Sequence, residues 1–469
     1  MASLARFGRQ PRVDDLPFIA AVTAAAAVGG VLLAVSAYEF NPLVLPAAIV
    51  AVGFVVVTLV RPAWALAGAL AAVPAESLGV TVGGLSPSEG ALALIGAAWV
   101  ARALLRPETV AKPSVRDVPI VLLLAVVGIG LANAEDPYPI ARVLLLWTLF
   151  YFVYLQVQTF TADEMKLAII AFAVGAAVLG ATGALDYLRS GNQTLFAGGE
   201  LTGARAASAF ADPNYYAALL VLGLLPALGL VLADARRYWY VGLACGVTFA
   251  GIALSLSRGG LIAAVGGGLL LLAWRRARWV AMGLAGVFVV LTLAGANPLV
   301  ESKQFNVVEK RLSTLTGPGI EESNRRPQIW LVAREVAGEH PFFGVGVNQF
   351  QFEARRRGLT EHGAPLENAH SIVFSLMAET GITGLAAFVF LLGQLAVRAV
   401  TALGTSDKMR YALALGLAAA LLGFVLQGLT VAQIRVSFIT GTFFALAGML
   451  TALADRASAE AAESRAAAR

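Results

Sequence analysis

Apolar segments long enough to cross a bilayer return along the whole chain, near 17–36, 42–60, 63–81, 86–105, 117–133, 139–159, 163–188, 214–233, 238–256, 259–274, 278–296, 371–401, 409–430 and 434–454. A spanning helix needs about 20 predominantly apolar residues, and inside hydrocarbon the backbone must satisfy its own hydrogen bonds. Unbroken runs such as Ala20–Leu33 lack the in–out alternation of a barrel strand. Of 469 residues, 58% are hydrophobic and 13% are charged, about half the charge of an ordinary soluble domain. These features predict an all-α polytopic membrane protein with 12–14 transmembrane helices. The third segment, interrupted by Pro74, Glu76 and Ser77, is expected to be broken or re-entrant. The basic start, MASLARFGRQPRVDD, precedes an apolar run that continues to about Val35. That is longer than the apolar core of a signal peptide, so it reads as a retained first span.

The formal net charge is +5, yet in a membrane protein Lys and Arg chiefly mark cytoplasmic loops, so no nucleic-acid partner follows from it. With a cytoplasmic N-terminus, the inner loops carry Arg61, then Arg102, Arg106, Lys112 and Arg116, then Arg236 and Arg237. Further along they carry Arg275, Arg276 and Arg278, then Arg398, Lys408 and Arg410, with Arg456, Arg465 and Arg469 in the tail. The same alternation sends loop 189–213, the Ser257–Arg258 junction and the long stretch 297–370 outside. The chain then divides into an N-terminal bundle (1–296), a long extracytoplasmic helical loop (297–370), C-terminal transmembrane helices (371–454) and a cytoplasmic tail (455–469). The long loop breaks the charge rule with Lys303, Lys310, Arg311, Arg325, Arg326, Arg334 and Arg355–Arg357. Long loops translocate largely regardless of charge, so those cations call for another explanation. The single cysteine, Cys245, lies in an apolar run and permits no disulfide within one chain.

Polar chemistry gathers between Asn324 and Leu385, where all three histidines lie (His340, His362, His370). The spacing predicts a helix over Arg326–Val336, with Ile329, Val332 and Val336 on one face and Trp330 beside it. A second short helix is expected over Asn348–Arg357, carrying three consecutive arginines, and Asn368-Ala-His370 stands at the entrance to the next span. Asp212-Pro213 reads as a helix start with Arg205 upstream, and Arg258 stands at the outer boundary of two spans. Each has a plain alternative: snorkelling for Arg205, an interfacial anchor for Arg258, a cap or interfacial residue for His370, a solvated face for Arg355–Arg357. Together they suit an anionic lipid-linked substrate. Arginine presents a fork of donors that matches phosphate oxygens, and a neutral histidine can take a proton from a hydroxyl nucleophile. The outer side has no DxD or paired-Asp motif, so neither a metal nor another cofactor is expected. Walker and G-x-S-x-G patterns are absent too. A transporter would more often show pseudo-symmetric halves with polar residues at the bilayer midplane, whereas here they collect on one side, as for an enzyme working at an interface.

The motifs in order resemble the O-antigen ligase/polymerase superfamily. Arg326-Pro-Gln-Ile-Trp330 is similar to its R-x-x-x-W, and His340-Pro-Phe-Phe-Gly-Val-Gly346 to its H-P-x-x-G-x-G. The segment from His370 through Glu379, Gly381 and Gly384 to Leu385 resembles H-N-x-x-L-x-x-L-A-E-x-G-x-x-G-L. Arg205–Asn214 resembles R-x-S-G-x-F-x-x-P-N, and Ser257-Arg258-Gly259 the family's S-R-G. Ser371 departs from the usual Asn, and Ala207-Ser208-Ala209 loosens the earlier match. The resemblance implies a GT-C-type fold in the bacterial cytoplasmic membrane, with the site on the extracytoplasmic side. It implies transfer of a glycan from undecaprenyl diphosphate to an acceptor hydroxyl, on lipid A-core (a ligase) or on a further lipid-linked unit (a polymerase). By that resemblance Arg205 and Arg326, with Arg258, hold the diphosphate, supported by Arg325 and Asn214. His370 is the base or orients the acceptor, and Glu379 is either functional or paired with a nearby donor. For His340, helix termination at Pro341 is a sufficient explanation.

Overall fold

A computed structural model describes residues 44–78, 85–189, 193–195, 201–203, 212–273, 326–361 and 364–467. Fourteen α-helices run through these residues: α1 (Val44–Val60), α2 (Pro62–Ala71), α3 (Pro87–Leu105), α4 (Val118–Ile129), α5 (Pro137–Val157), α6 (Ala162–Arg189), α7 (Pro213–Ala233), α8 (Trp239–Leu254), α9 (Arg258–Leu270), α10 (Arg326–Glu339), α11 (Phe350–Arg356), α12 (Ile372–Ala402), α13 (Lys408–Gly428) and α14 (Ser437–Ala467). Two antiparallel ribbons, β1 (Gln193–Leu195) with β2 (Leu201–Gly203) and β3 (Thr360–Glu361) with β4 (Ala364–Pro365), complete them. Among the described residues, eight helices are long and apolar enough to cross a membrane: α3, α4 with its flanking turns, α5, α6, α7, α12, α13 and α14. The chain is a multi-pass helical membrane protein. Of the apolar segments expected from sequence, 17–36 and 278–296 lie outside the described residues. The third is broken as expected: α2 stops at Ala71 and a 3₁₀ turn, Val73–Leu78, carries Pro74 and Glu76. The Glu76 carboxylate accepts from the Ser88 amide at 3.1 Å, so the residue that interrupts one segment serves the start of the next.

Local chemistry sets the helix starts. Ser86 and Glu89 form a reciprocal capping box, with Pro87 in the first turn. Asp136, Asp212, Ser257 and Asp407 accept from the backbone N–H groups of Tyr138, Asn214, Gly260 and Arg410. The core runs along α7 and α14, buried over almost their whole apolar length. α13 lies against α7 through small residues. A Cβ on Gly416 would stand 3.0 Å from Pro226 Cα, and one on Gly229 would stand 2.5 Å from the Ala412 carbonyl oxygen. Such close backbone approach is how helices gain contact where lipid offers no hydrophobic drive between them.

The polar contacts separate into two ends. At one, Asp455 accepts from Arg116 and Arg398, both at 2.7 Å. Arg410 pairs with Glu460, and Arg102 donates to Gln156 at 3.3 Å. These are arginines that the charge alternation assigns to one side. At the opposite end lie the loops assigned to the other side. There Gln349 accepts from the amides of Glu135 and Asp136 at 3.1 Å and donates to the Asp136 carbonyl at 2.9 Å. The described part of the long loop folds at this end around a small apolar cluster, Ile329, Ala333, Val336, Phe350, Ala354, Leu366 and Ala369, completed by Ala378 of α12. α10 and α11 are thereby seated on the head of α12.

Candidate functional site

α10 runs from Arg326 and buries Ile329, Ala333 and Val336; of the face expected from spacing, Ile329 and Val336 are buried and Val332 packs partly buried against them. Trp330 follows Arg326 by one helical turn and shares its side of the helix. The Trp330 indole Nε1–H donates to the Ala369 carbonyl at 3.0 Å, and its ring stacks on Phe374 of α12 at 5.0 Å and 13°. Trp330 thus pins the backbone immediately before His370. That residue has φ +49°, a left-handed conformation that a non-glycine residue keeps only where its surroundings hold it. The hold is local: the His370 amide donates to Asn368 Oδ1 at 2.8 Å. His370 is half-buried, directly ahead of the N-cap Ser371 of α12. The hydroxyl of Tyr215, on the first turn of α7, is hydrogen-bonded to the Asn368 side chain, with the charges of Asp212, Arg435 and Glu367 around it.

The His340-to-Gly346 turn explains its glycines by docking onto a break in α12. Gly381 has φ +63° and ψ −166° inside that helix, which frees backbone groups on either side. The Ala378 and Glu379 carbonyls accept from Val345 and Gly346 at 3.0 and 2.9 Å. The amide of Ile382 donates to the Pro341 carbonyl at 2.8 Å. A Cβ on Gly344 would stand 2.6 Å from the Ala378 carbonyl oxygen, and one on Gly381 would stand 2.6 Å from the Phe343 amide nitrogen. Two of the recognised motifs are therefore halves of one backbone joint. His340 is exposed, one residue past the end of α10, so the terminating Pro341 accounts for it.

Glu379 is buried and pairs with Arg435 at 2.8 Å, their side chains 4% and 15% exposed. The paired-donor alternative for Glu379 is the observed one. Arg435 is the residue that sequence reasoning missed; it lies in the 3₁₀ turn Gln433–Arg435 between α13 and α14. Its signal was an arginine in an outer turn, against the charge rule.

The starts of α7 and α9 are joined. Ser257 Oγ donates to Asn214 Oδ1 at 2.9 Å, and Gln427 Nε2 donates to the Asn214 carbonyl at 2.8 Å. Arg258, half-buried, is the first residue of α9. Asn214 thus connects the S-R-G turn to Tyr215, and through it to Asn368 and His370. Arg326 reaches the same segment through Trp330. Arg205 and Arg325 lie outside the described residues.

The Arg355–Arg357 run is largely committed elsewhere. Arg356 pairs with Glu353 and with Glu135, and Arg357 with Glu353 and, at 2.7 Å, with Glu339. Hydrogen bonds to Glu339, then to Glu353, raise the Arg357 guanidinium above its ordinary value. Two of these three cations therefore clamp α11 to α10 and to the α4–α5 connection. Among the described residues, no three His, Cys, Asp or Glu side chains gather as a metal site.

No curated protein matches the chain. Residues 243–389, from α8 through the break in α12 and including Arg258, Arg326, His340, His370 and Glu379, match the family model described as O-antigen ligase, and this match supports the O-antigen ligase/polymerase superfamily for the chain.

Proposed function

We propose that the chain is an O-antigen ligase-like glycosyltransferase, moving a glycan from undecaprenyl diphosphate to an acceptor hydroxyl at the outer end of the bundle. His370 takes the proton as the acceptor oxygen attacks the anomeric carbon. The bond from that carbon to the diphosphate oxygen breaks, and undecaprenyl diphosphate leaves with the electron pair. Arg326 and Arg258, with Arg205, hold the diphosphate and stabilise the charge that grows on it, since guanidinium groups bind such oxygens in a fork. Glu379 serves by fixing Arg435, and Asn214 by tying the start of α7 to the Arg258 turn.

The observation that carries this reading is the fixing of His370 from two directions. Asn368, faced by Tyr215, holds its amide, and Trp330, on the helix that begins with Arg326, holds the preceding carbonyl. A general base must stand within hydrogen-bond reach of the proton it removes, and a backbone held in a left-handed conformation at a helix entrance is suited to that task.

The test is transfer by the purified protein, in EDTA, from an undecaprenyl-diphosphate-linked glycan to two acceptors offered separately. Product on lipid A-core makes it a ligase. A ladder of longer lipid-linked chains makes it a polymerase, which shares donor and base and differs in the acceptor. Loss of turnover in EDTA, restored by a divalent cation, refutes the arginine-only account of the leaving group. Failure to bind the donor refutes the enzyme reading.

A further inference from the structure

Gly381 divides α12 into two parts with different surroundings. The first, Ile372–Thr380, packs beside α10 and contributes Ala378 to the small cluster of the outer loop. The second, Ile382–Ala402, is about 31 Å long at 1.5 Å per residue, close to the roughly 30 Å hydrocarbon thickness of a bilayer. Exposed apolar side chains run down it at Ile382, Val389, Phe390, Val397 and Val400. At about 100° per residue these fall on one face of the helix, a stripe facing lipid. The bilayer boundary therefore falls near Gly381, and the residues before it stand outside.

Two further exposed apolar side chains stand at the head of that stripe without belonging to α12. Phe342 is 67% exposed and Phe343 is 43% exposed, beside Ile382 at 55%. Their height is fixed by backbone bonds. The Pro341 carbonyl accepts from the Ile382 amide at 2.8 Å and the Phe342 carbonyl from the Thr383 amide at 3.3 Å. The pair thus lies level with the first turn of the lipid-facing section, and large rings left in water there would forfeit their burial. A phenyl ring has no polar atom to keep at the headgroups, so at this height its burial among acyl chains is favoured.

We infer that the Phe342–Phe343 turn is a membrane anchor whose rings enter the outer leaflet of the bilayer. Continuity with the exposed stripe of α12 selects lipid as the occupant, in preference to a second protein. The anchor sets the depth of the turn that Gly344 and Gly346 dock onto α12, and with it the height of the α10–α11 loop above the acyl chains.

A nitroxide at position 342 tests this. Cys245, the lone native cysteine, is buried, so Phe342→Cys offers one accessible thiol, with Cys245→Ala as the background. In phosphatidylethanolamine/phosphatidylglycerol nanodiscs the label is expected to collide more with oxygen than with a water-soluble nickel chelate. A label at Arg334→Cys, exposed on α10, is expected to show the reverse order. Equal preference for the chelate at both positions overturns the anchor, because the turn is then in water. Low access to both reagents at 342 also overturns it, because protein then covers the turn. Phe343→Trp, read as quenching by brominated acyl chains beyond that of the parent, repeats the measurement without a thiol. An unchanged signal counts against lipid contact.

Discussion

Replacing Trp330 by Phe removes one hydrogen bond from the His370 segment and little else. The stack on Phe374, at 5.0 Å and 13°, survives in a phenyl ring, while the 3.0 Å bond from Nε1 to the Ala369 carbonyl is lost. A neutral hydrogen bond contributes about 0.5–1.5 kcal/mol net. If that whole amount holds residues 369–370 in place, the population of correctly placed His370 falls about 2- to 13-fold, since 1.4 kcal/mol corresponds to a factor of ten. The expected outcome is a fall of that size in kcat with donor affinity unchanged, because Arg326 keeps its place on the same helix. Kinetics of glycan transfer, run beside equilibrium binding of the lipid-linked donor, separate the two quantities. Trp330→Ala should cost more and lower Tm as well, since it also removes an aromatic contact worth about 0.5–1.5 kcal/mol. A Trp330→Phe variant with full kcat shows that the indole does not position the base. One that loses donor affinity while keeping kcat shows that α10 acts on the leaving group alone.

Other perturbations divide along the same lines. His370→Ala should abolish transfer while Tm and donor binding stay near the parent values; retained turnover removes it as the base. Arg326→Ala should raise the donor Kd about 13- to 160-fold, from the roughly 1.5–3 kcal/mol of a charge-assisted contact, and an unchanged Kd removes it from the diphosphate site. Glu379→Ala leaves the part-buried Arg435 without its carboxylate and should lower stability, by no more than the roughly 3–5 kcal/mol of a fully buried pair. Adding Arg435→Met to Glu379→Ala should restore much of the thermal midpoint, and a double variant no better than the single one argues against a charge penalty. Gly381→Ala forces a side chain into a backbone region that is essentially glycine's alone, a strain of about 1–3 kcal/mol, and sets its Cβ 2.6 Å from the Phe343 amide. Its thermal midpoint should fall, and an unaffected one means the joint is not as tight as drawn.

The sequence was most legible where one physical effect dominates. Bilayer thickness dictates segment length, so the spans stood out, and the polar Pro74–Glu76–Ser77 interruption located the break after α2. The buried face of α10 followed from 3.6-residue spacing. Pairings across long separations were not legible. Glu353 stands three and four residues before Arg356 and Arg357, a local pattern open to inspection, but Glu135 is 221 residues from its partner Arg356, and only the folded loop brings them together. For that reason the arginine run offered phosphate binding and a solvated face as its alternatives, and the fold supplied carboxylates. Arg435 was overlooked because the apolar run that follows it absorbed it into a span. The H-P-x-x-G-x-G turn and the Gly381 break could be recognised as motifs, but their register against each other depends on two backbones meeting, which no one-dimensional pattern carries.

An up-and-down bundle places helix N-termini at both of its ends, so the outer end is not distinguished by its dipoles alone. It is distinguished by what occupies those first positions. Arg258 opens α9 and Arg326 is the first described residue of α10, while Asn214 lies in the first turn of α7 and His370 just before the cap of α12. A helix start carries unsatisfied N–H groups and a partial positive charge, and it favours phosphate. Placing arginine there adds a full charge where the backbone already contributes a partial one of the same sign. In the proposed reading a diphosphate there would meet a guanidinium and a backbone dipole of the same sign. Acidic residues are absent from the first turns of α7, α9, α10 and α12, though α7 carries a carboxylate at its cap, Asp212. At the outer end of α3, where no diphosphate is proposed to bind, Glu89 lies in the first turn. The proposed diphosphate site therefore rests on the arginines Arg258 and Arg326 themselves, because first turns without acidic residues recur elsewhere in the bundle, as at α5 and α13.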